Sequence, residues 1–166
     1  LRRRLGEWGL ESFSMLDRMG RIEEAFFFMD MVLIAVGMIA IVVASLGIVN
    51  TMVTSVLERR REIGLFKALG ATDGDVMWIF LAECGLIGLI GGLFGCLLSW
   101  AVSLGVDAYI NKLAAAEGIP PMSYFAYSPA LLAGSLAFAV AVSLVAGLYP
   151  AWRAARVDPV AALRHE

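Results

Sequence analysis

Three long runs of apolar residues, at 26–57, 76–106 and 129–149, limit this chain more than any other feature. A helix needs about 20 mostly apolar residues to cross the hydrocarbon core of a bilayer. The first run is broken only by Asp30, Asn50 and a few hydroxyls, the second only by Glu83, and the third carries no charge. In each, apolar side chains fall on every helical face, which marks a span and not an amphipathic surface helix. A large soluble protein can hide one such helix in its core, but 166 residues cannot hide three. The expected fold is an all-α integral membrane protein with three transmembrane helices and a short helix between the first two. Composition agrees: 60% of residues are hydrophobic and only 17% are charged, against about 45–50% apolar in soluble domains. A net charge of -2 excludes a strongly basic nucleic-acid binder.

The first two runs exceed what lipid requires. Thirty-odd residues make a helix of roughly 45–48 Å against a core of about 30 Å, so turns stand outside the lipid or the helix tilts. Upstream, Trp8, Phe13, Leu16, Met19 and Ile22 recur among charged residues. Residues 1–25 therefore read as an amphipathic lead-in, in which Gly20 weakens continuity with the first span by about 1 kcal/mol. Three spans put the termini on opposite sides. The segment 58–75 and the tail 150–166 share a side and hold Arg59, Arg60, Arg61, Lys67, Arg153, Arg156 and Arg164, whereas the segment 107–128 holds only Lys112. The positive-inside rule places the first pair in the cytoplasm and the N-terminus outside; Arg18 and Arg21 oppose it weakly. The chain starts at Leu1, as a piece of a longer protein would, and no signal peptide follows the arginines at positions 2–4.

The connector at 58–69 reads as a short amphipathic helix. Ile63, Phe66 and Leu69 form an apolar stripe with Leu65 beside it, while Arg60 and Lys67 stand on another face. Arg59 and Glu62, three apart, can pair. Gly70 suits the left-handed residue that closes a helix. Thr72 and Asp75 have capping-box spacing at the start of the next helix. Such a helix either rests its apolar side on lipid or docks in a partner's groove. Further on, Tyr149-Pro150 is expected to end the third span, and Asp158-Pro159 to start a short tail helix with Asp158 as its cap.

Single polar residues and glycines inside the spans raise separate questions. A carboxylate in lipid costs roughly 2.5–3.5 kcal/mol at the bilayer centre, so Glu83 needs a partner, either Arg153 or an arginine of the connector. Asn50 can hydrogen-bond between helices. The pairs Gly88/Gly92 and Gly91/Gly95 allow close helix approach, within one subunit or across a dimer face, and stripes such as Ala139/Ser143/Gly147 offer a matching surface. Cys84 and Cys96 lie about 18 Å apart on one helix and cannot bridge. No phosphate-binding loop, nucleophile elbow or metal-binding helix motif is present, and the lone His165 stands next to the end. No catalytic residue and no metal ligand is assigned.

The segments GIVNTM (47–52), ERRREIG (58–64), KALGA (67–71), Glu83, GLIGGLFG (88–95) and YPAWRAARVDPVAALR (149–164) occur in the order and spacing of a known family. Over residues 26–166 the chain resembles the FtsX-like permease domain of ABC transporters, in particular the MacB and LolC/LolE group. The resemblance implies a non-enzymatic permease subunit of the inner membrane, with an extracytoplasmic stalk end at 1–25 and the last three of four spans. The first span and a large extracytoplasmic domain would lie upstream. It implies that the connector is the coupling helix, presenting Arg59, Arg60, Arg61, Glu62, Ile63, Phe66, Lys67 and Leu69 to an ABC ATPase subunit. That subunit would bind the ATP, and this chain no cofactor. A second permease copy or paralogue and membrane lipid complete the implied partners. The activity implied is mechanotransmission, ATPase motion carried across the membrane for export or extraction of a substrate. The alternative is the scaffold role of the cell-division member, regulating cell-wall hydrolases outside.

Overall fold

The computed structural model describes residues 15–116, 120–123, 125 and 127–164. The lead-in before residue 15 and His165 lie outside the described residues. Among the described residues five helices follow in chain order: α1 (Met15–Glu58), α2 (Arg60–Ala68), α3 (Asp73–Ala116), α4 (Pro129–Ala155) and α5 (Pro159–Arg164). No strand occurs among the described residues. Three stretches among the described residues are long and apolar enough to cross a membrane: Ile22–Glu58, Asp73–Ala116 and Pro129–Ala155. In the most apolar window of the first, no residue is buried by the described residues, so its covering must come from outside them.

The chain divides into two compact units, residues 1–43 and 44–166. In the first, the described part is helix throughout, and Gly20 does not interrupt it. Apart from the half-buried Ile41, its large apolar side chains are exposed from Phe26 to Val43, Phe27 and Leu33 among them. The second unit holds the packed core. Met52 and Val56 from the end of α1, Ile63 from α2, Val76, Phe80 and Cys84 from α3, Ala151 and Ala154 from α4, and Val157 and Ala162 from the tail form one buried cluster. It gathers where α1, α3 and α4 meet the connector.

Helices α3 and α4 pack against each other, and the fit depends on small residues in antiparallel register. A Cβ added to Gly147 would strike Cys84, and one added to Gly88 would strike Ser143 and lie 2.9 Å from Val140 Cα. One added to Gly92 would lie 3.1 Å from Ala139 Cβ. The contacts step four residues at a time along both helices: Cys84 with Gly147, Gly88 with Ser143, Gly92 with Ala139. Lipid tails are as apolar as the side chains, so close backbone approach and the dispersion it brings hold such helices together. Ser143, buried in this seam, donates to Val140 O at 2.8 Å and leaves no polar atom unpaired. A Cβ at Gly91 or Gly95 would meet nothing within 4 Å; both line an open groove of about 370 Å³ with Ser99, Tyr127, Leu131 and Ser135, and a second, apolar groove of about 420 Å³ is lined by Leu93, Leu97, Trp100 and Leu136.

One boundary differs from expectation. Helix α4 does not stop at Tyr149 but runs through Pro150 to Ala155. A proline inside a helix costs about 3 kcal/mol through a lost hydrogen bond and a clash. Here Pro150, Ala151, Ala154 and Ala155 are all buried. Packing against the core outweighs the break. The N-terminus of α4 is as the sequence suggests, with Ser128 Oγ accepting from Ala130 N–H at 3.3 Å and Pro129 in the first turn.

The seam predicts a contrast between two glycines. Gly88→Ala forces a methyl into the α4 backbone and should cost about 1–3 kcal/mol by overpacking, whereas Gly91→Ala should stay within about 0.5 kcal/mol. Thermal unfolding of the detergent-purified protein checks this; equal shifts for the two would contradict the packing described.

Candidate functional site

The connector is built by local signals at both ends. At its C-terminal end, Ala71 N–H donates to Phe66 O and Gly70 N–H to Lys67 O, both at 3.0 Å. Gly70 has φ +103°. This is the paired closure that a left-handed glycine permits, and a side chain at position 70 would strain it. Two residues on, Thr72 N–H and Oγ1 donate to Asp75 Oδ2 at 2.9 and 2.7 Å, and Asp75 N–H donates back to Thr72 Oγ1 at 3.2 Å. That reciprocal cap starts α3 as the Thr72/Asp75 spacing suggests. The tail helix α5 starts as expected too, with Asp158 Oδ1 accepting from Val160 N–H at 2.9 Å.

The expected apolar stripe divides in two. Ile63 and Gly64 are buried on the inner side of α2, where α2 packs against α5. A methyl at position 64 would lie 2.6 Å from Ala162 Cβ, so the two helices touch almost backbone to backbone. Leu65, Phe66 and Leu69 are exposed, Leu69 at 78%. Arg59, Arg60, Arg61 and Glu62 are exposed as well. Of the eight residues expected to meet a partner, the structure therefore brings Ile63 into the chain's own core and leaves six on the surface.

The eighth, Lys67, is also turned inward. Its Nζ donates to Ala155 O at 2.6 Å and to Val157 O at 3.0 Å, and it pairs with Asp73 Oδ1 at 2.7 Å. Its side chain is only 11% exposed. Ala155 is the last residue of α4, where carbonyls lack intrahelical partners and a cation is favoured by the helix dipole. The neighbouring carbonyls of Arg153 and Ala154 accept from Arg156 and Val157 N–H at 3.3 and 3.2 Å. Sequence reasoning put Lys67 with Arg60 on a face apart from the apolar stripe; its acceptors lie 88 and 90 residues away, and no local spacing announces them.

Glu83 finds one of the two partners foreseen for it. Arg59 Nη1 lies 3.9 Å from Glu83 Oε2, so Arg59, at the junction of α1 and α2, reaches across to α3 and does not pair with Glu62. Arg153 is exposed beside a small cleft with Val53, Val56 and Leu57. Arg156 stacks its guanidinium 4.1 Å from the centre of the Trp152 ring. Of the residues expected in helix packing, Gly88 and Gly92 sit in the α3–α4 seam, while Gly91 and Gly95 do not. Asn50 is exposed, and its carbonyl accepts from Thr54 Oγ1 at 3.0 Å. Among the described residues no group of His, Cys, Asp and Glu is placed to hold a metal ion.

A helical membrane domain with a capped, outward-facing connector helix between two spans is the class of protein these features define. The family described as FtsX-like permease C-terminal matches residues 34–159. The macrolide export ATP-binding/permease protein MacB of Acinetobacter baylyi is 38% identical over 145 residues, which is 87% of this chain and 20% of that protein. An uncharacterized ABC transporter permease of Methanocaldococcus jannaschii is 35% identical over 133 residues, 80% of this chain and 32% of that one. The pyoverdine export ATP-binding/permease protein PvdT of Pseudomonas savastanoi is 35% identical over 138 residues, 83% of this chain and 19% of that protein. The chain belongs to the FtsX-like permease family and is a membrane protein of the ABC transporter permease kind. It spans about a fifth to a third of the length of these relatives.

The contact between α2 and α5 yields a second prediction. Gly64→Ala should loosen the tail by about 1–3 kcal/mol, and Ala162→Gly in the same chain should recover part of that loss. Protease sensitivity of the segment 157–164 reads the effect; a double variant no better than Gly64→Ala alone would show that the two positions do not meet.

Proposed function

We propose that this chain is the membrane-embedded part of an ABC permease of the MacB type, and that α2 is its coupling helix, seated on an ATP-hydrolysing partner or partner domain. The observation that carries this is the divided face of α2. Ile63 and Gly64 are held by the chain itself, while Leu65, Phe66 and Leu69 stand exposed beside Arg60 and Arg61. Each large apolar side chain left in water forgoes about 1.5–3 kcal/mol of burial. A rigid helix with two ordered ends and an exposed apolar-basic face suits docking into a groove. The names of the relatives support the partner: MacB and PvdT are each called an ATP-binding/permease protein.

On this reading α2, α5 and both ends of the tail face the cytoplasm, in line with the arginines gathered there. Motion of the ATPase enters at α2 and leaves through α1 toward the other side, in mechanotransmission serving export or extraction. A second permease copy or paralogue stands beside this one in the inner membrane, and lipid covers the exposed apolar spans. The energy comes from ATP bound by the partner; this chain contributes no catalytic group.

Arg60→Glu combined with Phe66→Asp, made in the full-length protein with its ATPase, should cut co-purification and permease-dependent stimulation of ATP hydrolysis. A loss of 2 kcal/mol or more, as for a buried anchor in an interface, is roughly 30-fold. Membrane insertion should be unchanged. Survival of both co-purification and stimulation would sink the assignment. The sidedness has its own check: Leu69→Cys, with Cys84 and Cys96 replaced by Ala, should react with an impermeant maleimide only after the cells are opened.

A further inference from the structure

We propose that Lys67 is a positioning residue: it locks α2 to the C-terminal end of α4, so that the connector and the third span respond as one body. The proposal rests on the reading of α2 as a coupling helix and adds how a push on it reaches the membrane.

The geometry is specific to an ammonium group. Lysine carries three N–H donors and no acceptor, and the structure supplies three oxygens: Ala155 O, Val157 O and Asp73 Oδ1, at 2.6, 3.0 and 2.7 Å. They belong to three different places in the chain. Ala155 ends α4, Val157 lies in the link to α5, and Asp73 begins α3. One cation on α2 thus ties together the end of α4, the link to α5 and the start of α3. Ala155 O belongs to the last turn of α4, where carbonyls lack intrahelical partners. The side chain is almost fully buried, so it is not offered to an outside partner. Asp73 is 69% exposed, and contributes less than the carbonyls, because solvent competes for it.

Other contacts of α2 lack this reach. Ile63 and Gly64 pack by shape and permit sliding. The Arg59–Glu83 pair, at 3.9 Å and with both side chains substantially exposed, is long for a directional bond. Hydrogen bonds from a buried ammonium fix both distance and direction. A planar guanidinium presents its donors in a rigid fork, not a tetrahedral cluster, so arginine does not reproduce the site.

The test uses the full-length permease with its ATPase and compares Lys67→Met, Lys67→Arg and Asp73→Asn with Phe66→Asp. Lys67→Met should leave the ATPase bound, since the outward face is intact, while permease-dependent stimulation of hydrolysis falls about tenfold or more. Amides of 157–164 should exchange about tenfold faster or more, the change expected on losing hydrogen bonds to a charged group. Lys67→Arg should follow Lys67→Met in kind, and Asp73→Asn should lower stimulation by only about twofold. Unchanged stimulation and unchanged exchange in Lys67→Met overturn the proposal. So does loss of ATPase binding in Lys67→Met, which would make Lys67 a contact residue. If Lys67→Met does not accumulate, Lys67→Arg with full stimulation overturns it. Failure of the coupling-helix reading itself shows separately, as retained ATPase binding in Phe66→Asp.

Discussion

The close approach of α3 and α4 governs the rest of the second unit. Two helices in lipid gain little from hiding apolar surface, because the solvent they leave is apolar too. They gain from dispersion, which rises with the number of atoms in contact and vanishes across a gap of an ångström or so. The steps Cys84–Gly147, Gly88–Ser143 and Gly92–Ala139 remove the side chains that would hold the backbones apart. Once that register is set, the end of α4 arrives beside Met52 and Val56 of α1, and the buried cluster assembles at the connector. Beyond Gly92 the seam opens, and Leu93, Leu97 and Trp100 line a groove facing outward. The molecule is tightly packed where it meets α2 and loosely packed toward the other end of α3 and α4.

That gradient explains which parts of the fold could be read from residues alone. Span number and order follow from hydropathy, a property summed over 20 residues and insensitive to detail. Caps are local chemistry, so Gly70, the Thr72–Asp75 box and Asp158 announced their turns correctly. Interior packing is not local. Periodicity put Ile63, Phe66 and Leu69 on one stripe. It could not show that Ala162, nearly a hundred residues later, would cover the Ile63 end and leave the Leu69 end bare. The inward contacts of Lys67 were illegible for the same reason, because its two carbonyl acceptors lie 88 and 90 residues away. Pro150 misled because the rule that proline ends helices describes an unsupported backbone, and here Pro150, Ala151, Ala154 and Ala155 are buried against the core. The glycine pairs divided as well. Spacing alone made Gly91/Gly95 equivalent to Gly88/Gly92, and only the position of α4 separates them.

The same long-range contacts turn a flexible link into a fixed platform. A nine-residue helix in isolation is below the length that is stable in water. Helix α2 is held instead by tertiary contacts on its inner side, by the turn at Gly70 and by Lys67. Its outer face is therefore presented in one orientation, with its conformational entropy already lost on folding. A partner that binds it does not have to order it first, which leaves more of the contact energy available as affinity.

Lipid alone is a poor match for that face. An interfacial helix lies with its apolar side down and its charges up, along one continuous divide. In α2 the apolar side that would lie down is split, with Ile63 and Gly64 turned into the protein and Leu65, Phe66 and Leu69 turned out. The outward residues are flanked by Arg60, Arg61 and Glu62, which carry both signs of charge. A shaped protein groove can receive two or three apolar side chains and pair both signs at its rim, whereas a bilayer surface rewards only the positive ones. Glu62, exposed beside Arg61 on the first turn of α2, is thus unfavourable against an anionic lipid surface and usable against a protein.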